Sequence, residues 1–382
     1  MADPDNSAVR STRAPRRFWR FRLMALVASV LFVILLLPGA SLYYSYSGGK
    51  SCTKCHEIWQ PYRDWHESAH RNIACSECHG DVMTLDAGFH LKNIRQLAAH
   101  IRGKIPEQVR LKTDDVFKIE KRCAKCHRQE YAAWSSGLHS ATYSRVFLNK
   151  EHNQKTLLMD DCLRCHSMHF EGSIRELVSP VDRQGPWKLL DSKLADQPAI
   201  PCLTCHQMHR HGDPLSRPPA TKSDDAGLHQ EIARPSLALF DRREQDFISL
   251  DRLPLPQMYE GTRLVKISPD QRQALCYQCH APEASAQVGS GDDRTPIGVH
   301  EGLSCFACHE KHGQTTRASC TTCHPQLSNC GINVETMDTT FKNAKSPHNV
   351  HTVKCADCHT KGVPQKKSKN HEGHEVARRT SD

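Results

Sequence analysis

Nine copies of the pentapeptide Cys-x-x-Cys-His constrain this 382-residue chain more than any other feature. Eighteen of the nineteen cysteines fall in these copies. The copies occupy residues 52–56, 75–79, 123–127, 162–166, 202–206, 276–280, 305–309, 320–324 and 355–359. A shuffled chain of this composition would contain on the order of 0.06 copies. Because this spacing is the signature of c-type haem attachment, the sequence predicts nine covalently bound haems c.

The spacing follows from the chemistry of attachment. Two thiols bind the two vinyl groups of the porphyrin, and the adjacent histidine is then the proximal ligand of the iron. A zinc ribbon has no need of a histidine after every pair, and a disulfide framework would leave these histidines unused. The predicted attachment residues are Cys52, Cys55, Cys75, Cys78, Cys123, Cys126, Cys162, Cys165, Cys202, Cys205, Cys276, Cys279, Cys305, Cys308, Cys320, Cys323, Cys355 and Cys358. The predicted proximal ligands are His56, His79, His127, His166, His206, His280, His309, His324 and His359.

The number of haems also limits the fold. About 42 residues accompany each haem, too few for a separate apolar core around each one. Aromatic residues make up 6% of the chain, so the porphyrins themselves would supply much of the buried apolar mass. We therefore expect a mostly α protein with extensive loops and almost no sheet, a multihaem cytochrome c organised around a chain of haems.

The formal net charge of +9 could indicate a nucleic-acid partner. Each haem, however, brings two carboxylate propionates, and nine haems offset this excess. The sequence therefore predicts propionates rather than nucleic acid as the partners of the basic residues.

An apolar run near the N-terminus suggests a membrane anchor. Residues 23–37 carry no charge, and six arginines between positions 10 and 22 precede them. This arrangement favours a single transmembrane helix over 23–44 at the N-terminus, with residues 1–22 as a cytoplasmic basic segment. A cleaved signal peptide is the alternative. We expect a single-pass protein of the bacterial inner membrane whose haem domains are periplasmic.

The motifs form two groups along the chain. Five lie in residues 45–211, and four lie in residues 266–360. Residues 212–265 contain many prolines and charges but no cysteine, which indicates a linker or an insertion. Residues 361–382 form a polar tail. The segments WHESAH and WSSGLHS follow the first and third motifs at similar distances and indicate a repeated unit.

Sixteen histidines lie outside the motifs and could supply the second axial ligand of each iron. Some follow a proximal histidine by three residues, so they lie on the same helical face and can reach only a neighbouring haem. Others precede a motif by four to seven residues or follow the repeated tryptophan. The candidate distal ligands are His70, His139, His169, His209, His300, His312, His348 and His351, with His90, His100 and His152 as second choices.

Residues 15–140 resemble the membrane-anchored quinol dehydrogenases of the NapC/NirT family. The resemblance consists of the apolar run, WHESAHRNIACSECHG, and LKNIRQLAAHIRGKIPEQVRLK before the third motif. It implies a quinol donor at the first haem, with Asp86 and Lys92 as candidate quinol-binding residues. Ile58 stands where that family often has Met, so the second ligand of the first haem is left open.

The C-terminal stretches GVHEGLSCFACHEKH and SPHNVHTVKCADCH resemble periplasmic multihaem electron conduits. Together the two resemblances imply transfer of electrons from quinol, or another membrane donor, to a periplasmic or outer-membrane redox partner. Two alternatives are open: a reductase of a small nitrogen or sulfur oxyanion at a five-coordinate haem, and an electron-transfer subunit of a larger respiratory complex. The chain is primarily an electron carrier in this interpretation, with possible quinol dehydrogenase activity.

Overall fold

The computed structural model describes the helices, hairpins and eight of the nine motifs at least in part. The described residues are 16–47, 53, 56–80, 95–96, 98–103, 110–209, 236–280, 294–310, 312–313, 349–358 and 361. The chain divides into two compact units, residues 1–109 and 110–382.

The N-terminal helix corrects one prediction. Helix α1, Arg16–Tyr46, has 31 residues. Within the part of the chain that the structure describes, no helix combines the length and the apolar character needed to span a membrane. The predicted anchor over 23–44, the fold class that included it and the single-pass inner-membrane location are therefore wrong. The apolar run 23–37, which ends before Pro38 and Gly39, offers a physical reason, because 15 residues of helix rise about 22 Å and a bilayer core is about 30 Å thick.

The rest of the first unit is built around the first two motifs. A 3₁₀ helix, His56–Ile58, leads into α2, Trp59–Glu67, and α3 spans Cys75–His79. Helix α3 thus coincides with the second motif. The turn between α2 and α3 is closed by the Trp65 indole, which donates to the Ile73 carbonyl at 3.1 Å.

The second unit contains short helices joined by loops. Its α-helices are α4 (Thr113–Cys126), α5 (Arg128–Ser135), α6 (Tyr143–Phe147), α7 (Lys150–Lys155), α8 (Ile174–Leu177), α9 (Ala274–His280) and α10 (Cys355–Cys358). Its 3₁₀ helices are Leu138–Ser140, Asp160–Arg164, Ser192–Leu194, Cys202–Thr204, Leu250–Arg252, Gln271–Gln273, Gly298–His300 and Cys305–Ala307.

Side-chain caps explain where several of these helices begin. The Thr142 hydroxyl accepts from the Arg145 amide at the start of α6, and the Asn149 side chain accepts from the His152 amide at the start of α7. Ser173 and Glu176 form a capping box around α8. Each cap satisfies amides that a helix leaves without an internal partner, which favours these short helices in a chain with little other regular structure.

The structure contains more sheet than the sequence predicts. Six strands form three antiparallel pairs among the described residues. The pairs are β1 (Val178–Ser179) with β2 (Lys188–Leu189), β3 (Ala238–Asp241) with β4 (Asp246–Ser249), and β5 (Tyr259–Glu260) with β6 (Arg263–Leu264). Two of the three pairs lie in the cysteine-free stretch 212–265, so part of that stretch is regular structure.

Small apolar clusters stabilise the second unit. The largest contains Phe117, Tyr143, Phe147, Leu158, Leu163, Ile174, Leu177, Val178, Leu194 and Ala199. Another contains Met168, Leu239, Phe240, Leu250, Leu253 and Ala274. A third contains Val116, Ile119 and Leu203. Through the second cluster, hairpin β3–β4 packs against α9, which carries the sixth motif.

The proposed repeat has a structural counterpart. On α2, the rings of Tyr62 and Trp65 are 5.4 Å apart with a tilt of 40°. On α5, Tyr131 and Trp134 are 5.3 Å apart with a tilt of 44°. Both helices follow a motif histidine and are followed by a candidate distal histidine, so the two segments have the same local geometry.

Candidate haem sites

Each fully described motif forms a single helical turn. In the third, fourth, fifth and seventh motifs, the histidine amide donates to the carbonyl of the first cysteine, at 2.9, 2.9, 3.1 and 2.8 Å. The second motif forms α3, and the sixth ends α9. A turn of this kind places cysteines three residues apart on one face and the histidine next to them. This is the local geometry that covalent attachment and proximal ligation require of the chain.

The two described cysteines of the fifth motif, Cys202 and Cys205, lie in largely apolar surroundings. Burial raises the pKa of Cys202 to about 12 and that of Cys205 to about 11. Zinc binding requires thiolates, which such an environment disfavours. A thioether carries no charge, so these positions fit haem attachment better than a zinc site. The thiols that the structure describes are Cys75, Cys78, Cys123, Cys126, Cys162, Cys165, Cys202, Cys205, Cys276, Cys279, Cys305 and Cys308.

The sixth motif lies between two others. Its first thiol, Cys276, shares a hydrogen bond with Cys305 of the seventh motif, which raises the pKa of Cys276 and lowers that of Cys305. Its second thiol, Cys279, shares a hydrogen bond with Cys165 of the fourth motif. Attachment sites from both sequence groups therefore lie side by side within the second unit.

A further set of contacts joins proximal histidines to histidines outside the motifs. The pairs, by ring-centroid distance, are His280 with His139 (6.0 Å), His206 with His312 (6.0 Å), His309 with His351 (6.4 Å) and His56 with His100 (5.7 Å). The ring planes are tilted by 32° to 47°. Two imidazoles on opposite sides of one metal ion have centroids roughly 6.3 Å apart, because each metal–nitrogen bond is about 2.0–2.1 Å. The spacing fits two axial ligands of one iron.

Three of these pairs connect different motifs. His139, which follows the third motif, faces the sixth motif's His280. His312 lies three residues after the seventh motif but faces the fifth motif's His206. His351, which precedes the ninth motif, faces the seventh motif's His309. A histidine carried by one attachment segment is thus available to the iron of another.

The electrostatics around the His139–His280 pair also suit metal ligation. Burial, and then the nearby His280 and Arg294, lower the pKa of His139 to about 4. Burial and Arg294 lower the pKa of His309 as well. Metal ligation requires a neutral imidazole. These side chains are therefore in the protonation state that an iron ligand needs at neutral pH.

The pair in the first unit includes a carboxylate. Glu57 Oε1 lies 3.3 Å from Nε2 of His56 and 3.0 Å from Nδ1 of His100. The pKa of Glu57 is lowered, first by a hydrogen bond from its own backbone amide and then by the two imidazoles. Ligand atoms of the three residues lie within 4.8 Å of one another, so the group could hold a metal.

Two further candidate ligands, His169 and His300, are not in such pairs and have different surroundings. His169 is 7% exposed and stacks on Phe240 with centroids 4.0 Å apart, while its Nε2 is buried and has no hydrogen-bond partner among the described residues. Burial lowers the pKa of His169 to about 4. Nδ1 of His300 lies 3.1 Å from the Val350 carbonyl. Donation from Nδ1 leaves Nε2 as the nitrogen available to a metal.

A cavity accompanies the seventh motif. It has a volume of about 470 Å³ and lies between α5 and residues 306–313. Ala133, Cys308 and His309 are among its lining residues. Its volume is in the range of cofactor pockets, about 300–1,000 Å³. Space, one thiol of the motif and its proximal histidine therefore coincide here, and the site fits a covalently attached haem.

Comparison with known proteins agrees with this geometry. Residues 48–214 match the family model described as outer membrane cytochrome MtrC/MtrF-like, domains II/IV. The match supports a multihaem c-type cytochrome. It supports an electron conduit but not the NapC/NirT type specifically. No curated protein and no solved structure matches the chain at a significant level.

Several predicted site residues of this chain lie outside the described residues. They are Cys52, Cys55, Asp86, Lys92, Cys320, Cys323, His324, His348 and His359, and the side chains of Cys355 and Cys358 are likewise not described. His70 and His209 are described: His70 lies in the turn between α2 and α3, and its amide donates to the Ser68 hydroxyl at 3.0 Å. Both stay predictions as ligands.

Sequence reasoning gave little weight to two residues that the structure brings to the sites. His100 was a second choice among the distal histidines, and its place beside His56 depends on contacts that no local spacing encodes. Glu120 was not singled out, because a charged residue in the amphipathic α4 looks like a solvent-facing one. It is buried, at 3% exposure, next to the third motif.

Proposed function

We propose that this chain is an electron-transfer cytochrome that passes electrons through its haems to an outer-membrane or extracellular acceptor. The observation that carries the proposal is the set of four histidine pairs at the spacing of two ligands on one iron. The family match supports it independently, since its description is that of an outer-membrane cytochrome. Haem c supplies reversible one-electron chemistry when bound.

The chain's own residues hold and tune the sites. When haem is bound, the cysteines of each motif would hold the porphyrin, and each histidine pair would supply two ligands to one iron. We assign His139 as the partner of His280, His312 as that of His206, His351 as that of His309, and His100 as that of His56. His70, His169, His209, His300 and His348 are our candidates for further irons. With both axial positions filled by protein, electron transfer needs no exchange of ligands.

Haem and iron analysis of the matured protein tests this proposal. We expect nine haems c and nine irons per chain, with low-spin spectra for the oxidised protein. A colourless protein, or one whose thiols bind zinc, would refute it. A lower haem count would refute the assignment of the motifs that lack haem while leaving the others in place.

The alternative of an oxyanion reductase requires an iron with an open position. The paired histidines favour saturated ligation at four sites and therefore favour the carrier. Addition of cyanide or nitrite to the oxidised protein separates the two functions. Unchanged spectra support the carrier, whereas a haem that binds the added ligand supports the reductase.

For the donor we propose the quinol pool or a protein that draws on it, and for the acceptor a redox partner protein. Reduction by a quinol analogue in the presence and absence of membranes tests whether the chain takes electrons from quinol itself. Reduction that requires a second protein would instead make the chain a subunit of a larger complex. We also propose that residues 45–211 and 266–360 form the two haem-bearing regions, with 212–265 between them.

A further inference from the structure

Glu120 is a buried carboxylic acid between two attachment sites. It lies on α4, one turn before Cys123 of the third motif, and is 3% exposed. Its carboxyl accepts a hydrogen bond from the backbone amide of Cys202, in the fifth motif. Its Oε2 is buried and has no hydrogen-bond partner in the described part of the chain. The side chain therefore bridges two motifs and keeps one oxygen available.

The surroundings of this carboxyl are apolar. Val116 and Ile119 on the same helix pack against Leu203 of the Cys202–Thr204 helix. A buried carboxylate is costly in such a place unless it is fully paired. The raised pKa of Glu120, about 7, reflects this burial, which outweighs the Cys202 amide and Lys121.

Other charged and titratable groups lie around Glu120. Lys121 lies beside it on α4, and its positive charge lowers the pKa of Glu120. Tyr131, on α5, stays neutral because burial, and then Glu120, raises its pKa. Cys202 is neutral both as a thiol with a raised pKa and as a thioether. Among these described neighbours, Glu120 is the group poised to exchange a proton.

We propose that Glu120 takes up a proton when an electron enters the third or fifth haem site, which makes electron transfer through these sites proton-coupled. An added negative charge in a low-dielectric region favours the neutral form of a nearby acid. One electron comes from an external one-electron donor, and one proton passes from water to the carboxylate to give the carboxylic acid. On reoxidation the same proton returns to water. The inference rests on the proposed haem attachment.

Redox titration of the haem-loaded, full-length protein tests the proposal. Dithionite and ferricyanide would serve as reductant and oxidant over roughly pH 5 to 9. In the wild type, we expect the midpoint potential of one or two haems to fall as the pH rises through the neutral range. In Glu120→Gln this dependence should be lost. Glu151→Gln is the matched control, because Glu151 is exposed and pairs only locally with Lys155 at 2.8 Å.

Infrared difference spectra give a second readout that needs no variant. Reduction of the wild type should produce the carbonyl stretch of a protonated carboxylic acid, and the band should shift in deuterated water. It should be absent in Glu120→Gln and retained in Glu151→Gln. If Glu120→Gln does not mature, Glu120→Asp keeps the carboxyl and should keep a pH-dependent potential.

Two results would overturn the inference: an unchanged pH dependence in haem-loaded Glu120→Gln, or no protonated-acid band on reduction of the wild type. Neither result would contradict the proposed function, which fails only if haem is absent or redox-inactive. Haem content, measured on every sample, separates the two failures.

Discussion

His312 and His206 face each other with ring centroids 6.0 Å apart, although 105 residues lie between them in the sequence. His312 trails the seventh motif and His206 belongs to the fifth. We propose that this contact provides the second ligand of the fifth site. The contact thus joins the two sequence groups of motifs, alongside the Cys279–Cys165 contact.

Replacing His312 tests this assignment. In His312→Ala we expect about one haem to change from low-spin to high-spin and to bind cyanide, because the fifth iron loses an axial ligand. Optical and electron paramagnetic resonance spectra of the oxidised protein measure the change. His152→Ala is the control, since His152 is exposed on α7, and it should leave the spectra unchanged. A fully low-spin His312→Ala protein would contradict the assignment.

Gly298 controls the approach of two segments near the seventh site. It has a φ of +72°, and a Cβ at this position would collide with the Val353 carbonyl oxygen. The neighbouring Ile297 amide donates to the His351 carbonyl at 2.8 Å. We expect Gly298→Ala to displace His351, to give a high-spin fraction at the seventh haem and to lower the melting temperature.

Gly261 provides the matched control for this glycine. Its φ is +63°, but nothing lies within 4 Å of an added Cβ. Gly261→Ala should therefore cost only the backbone strain, about 1–2 kcal/mol, and leave the haem spectra intact. Equal spectroscopic effects of the two substitutions would show that the Val353 contact does not position His351.

Glu120 should make stability depend on pH. Because its pKa is raised from 4.5 to about 7 in the folded protein, the fold favours the protonated acid. The stabilisation is complete below about pH 4.5 and is lost as the pH rises through 7, by up to roughly 3 kcal/mol. Glu120→Gln should remove this contribution and exceed the wild type in unfolding free energy at pH 8. Denaturant titrations followed by far-UV circular dichroism at pH 5 and 8 measure this difference. An equal change in unfolding free energy for the wild type and Glu120→Gln would contradict the prediction.

Asp270 and Arg272, which precede α9 in the sequence, form a buried ion pair. The pair has two hydrogen bonds, at 2.9 and 2.8 Å, and the Ser304 hydroxyl donates to the same carboxylate at 2.8 Å. Asp270→Asn would leave the guanidinium buried without a counter-charge, so we expect a loss of about 3–5 kcal/mol. Breaking the exposed Glu151–Lys155 pair with Glu151→Gln should cost at most about 1 kcal/mol. Similar losses in thermal unfolding for both variants would be the contrary result.

The sequence predicts the local parts of the sites well. Each described motif needs little more than a helical turn, and that turn is encoded within five residues. The geometry of Tyr131 and Trp134 on α5 likewise follows from positions three residues apart.

Long-range features could not be predicted in the same way. Which histidine faces His280 depends on how segments more than one hundred residues apart pack, and several histidines had suitable local spacing. The pairing of β3 with β4 places Phe240 opposite Phe247, a contact that a proline-rich and charged stretch does not suggest. The transmembrane prediction failed because the apolar run was extended past Pro38 and Gly39 to reach a spanning length.

The sharing of ligands between motifs has a consequence for how such a protein can change over time. Every crossing imidazole is at once an electronic component and a tertiary cross-link, so its loss would weaken conduction and folding together. Loops between attachment turns can vary in length and composition without touching either property. Related chains should therefore keep the histidines that are shared between motifs, while the segments that connect the motifs diverge in sequence.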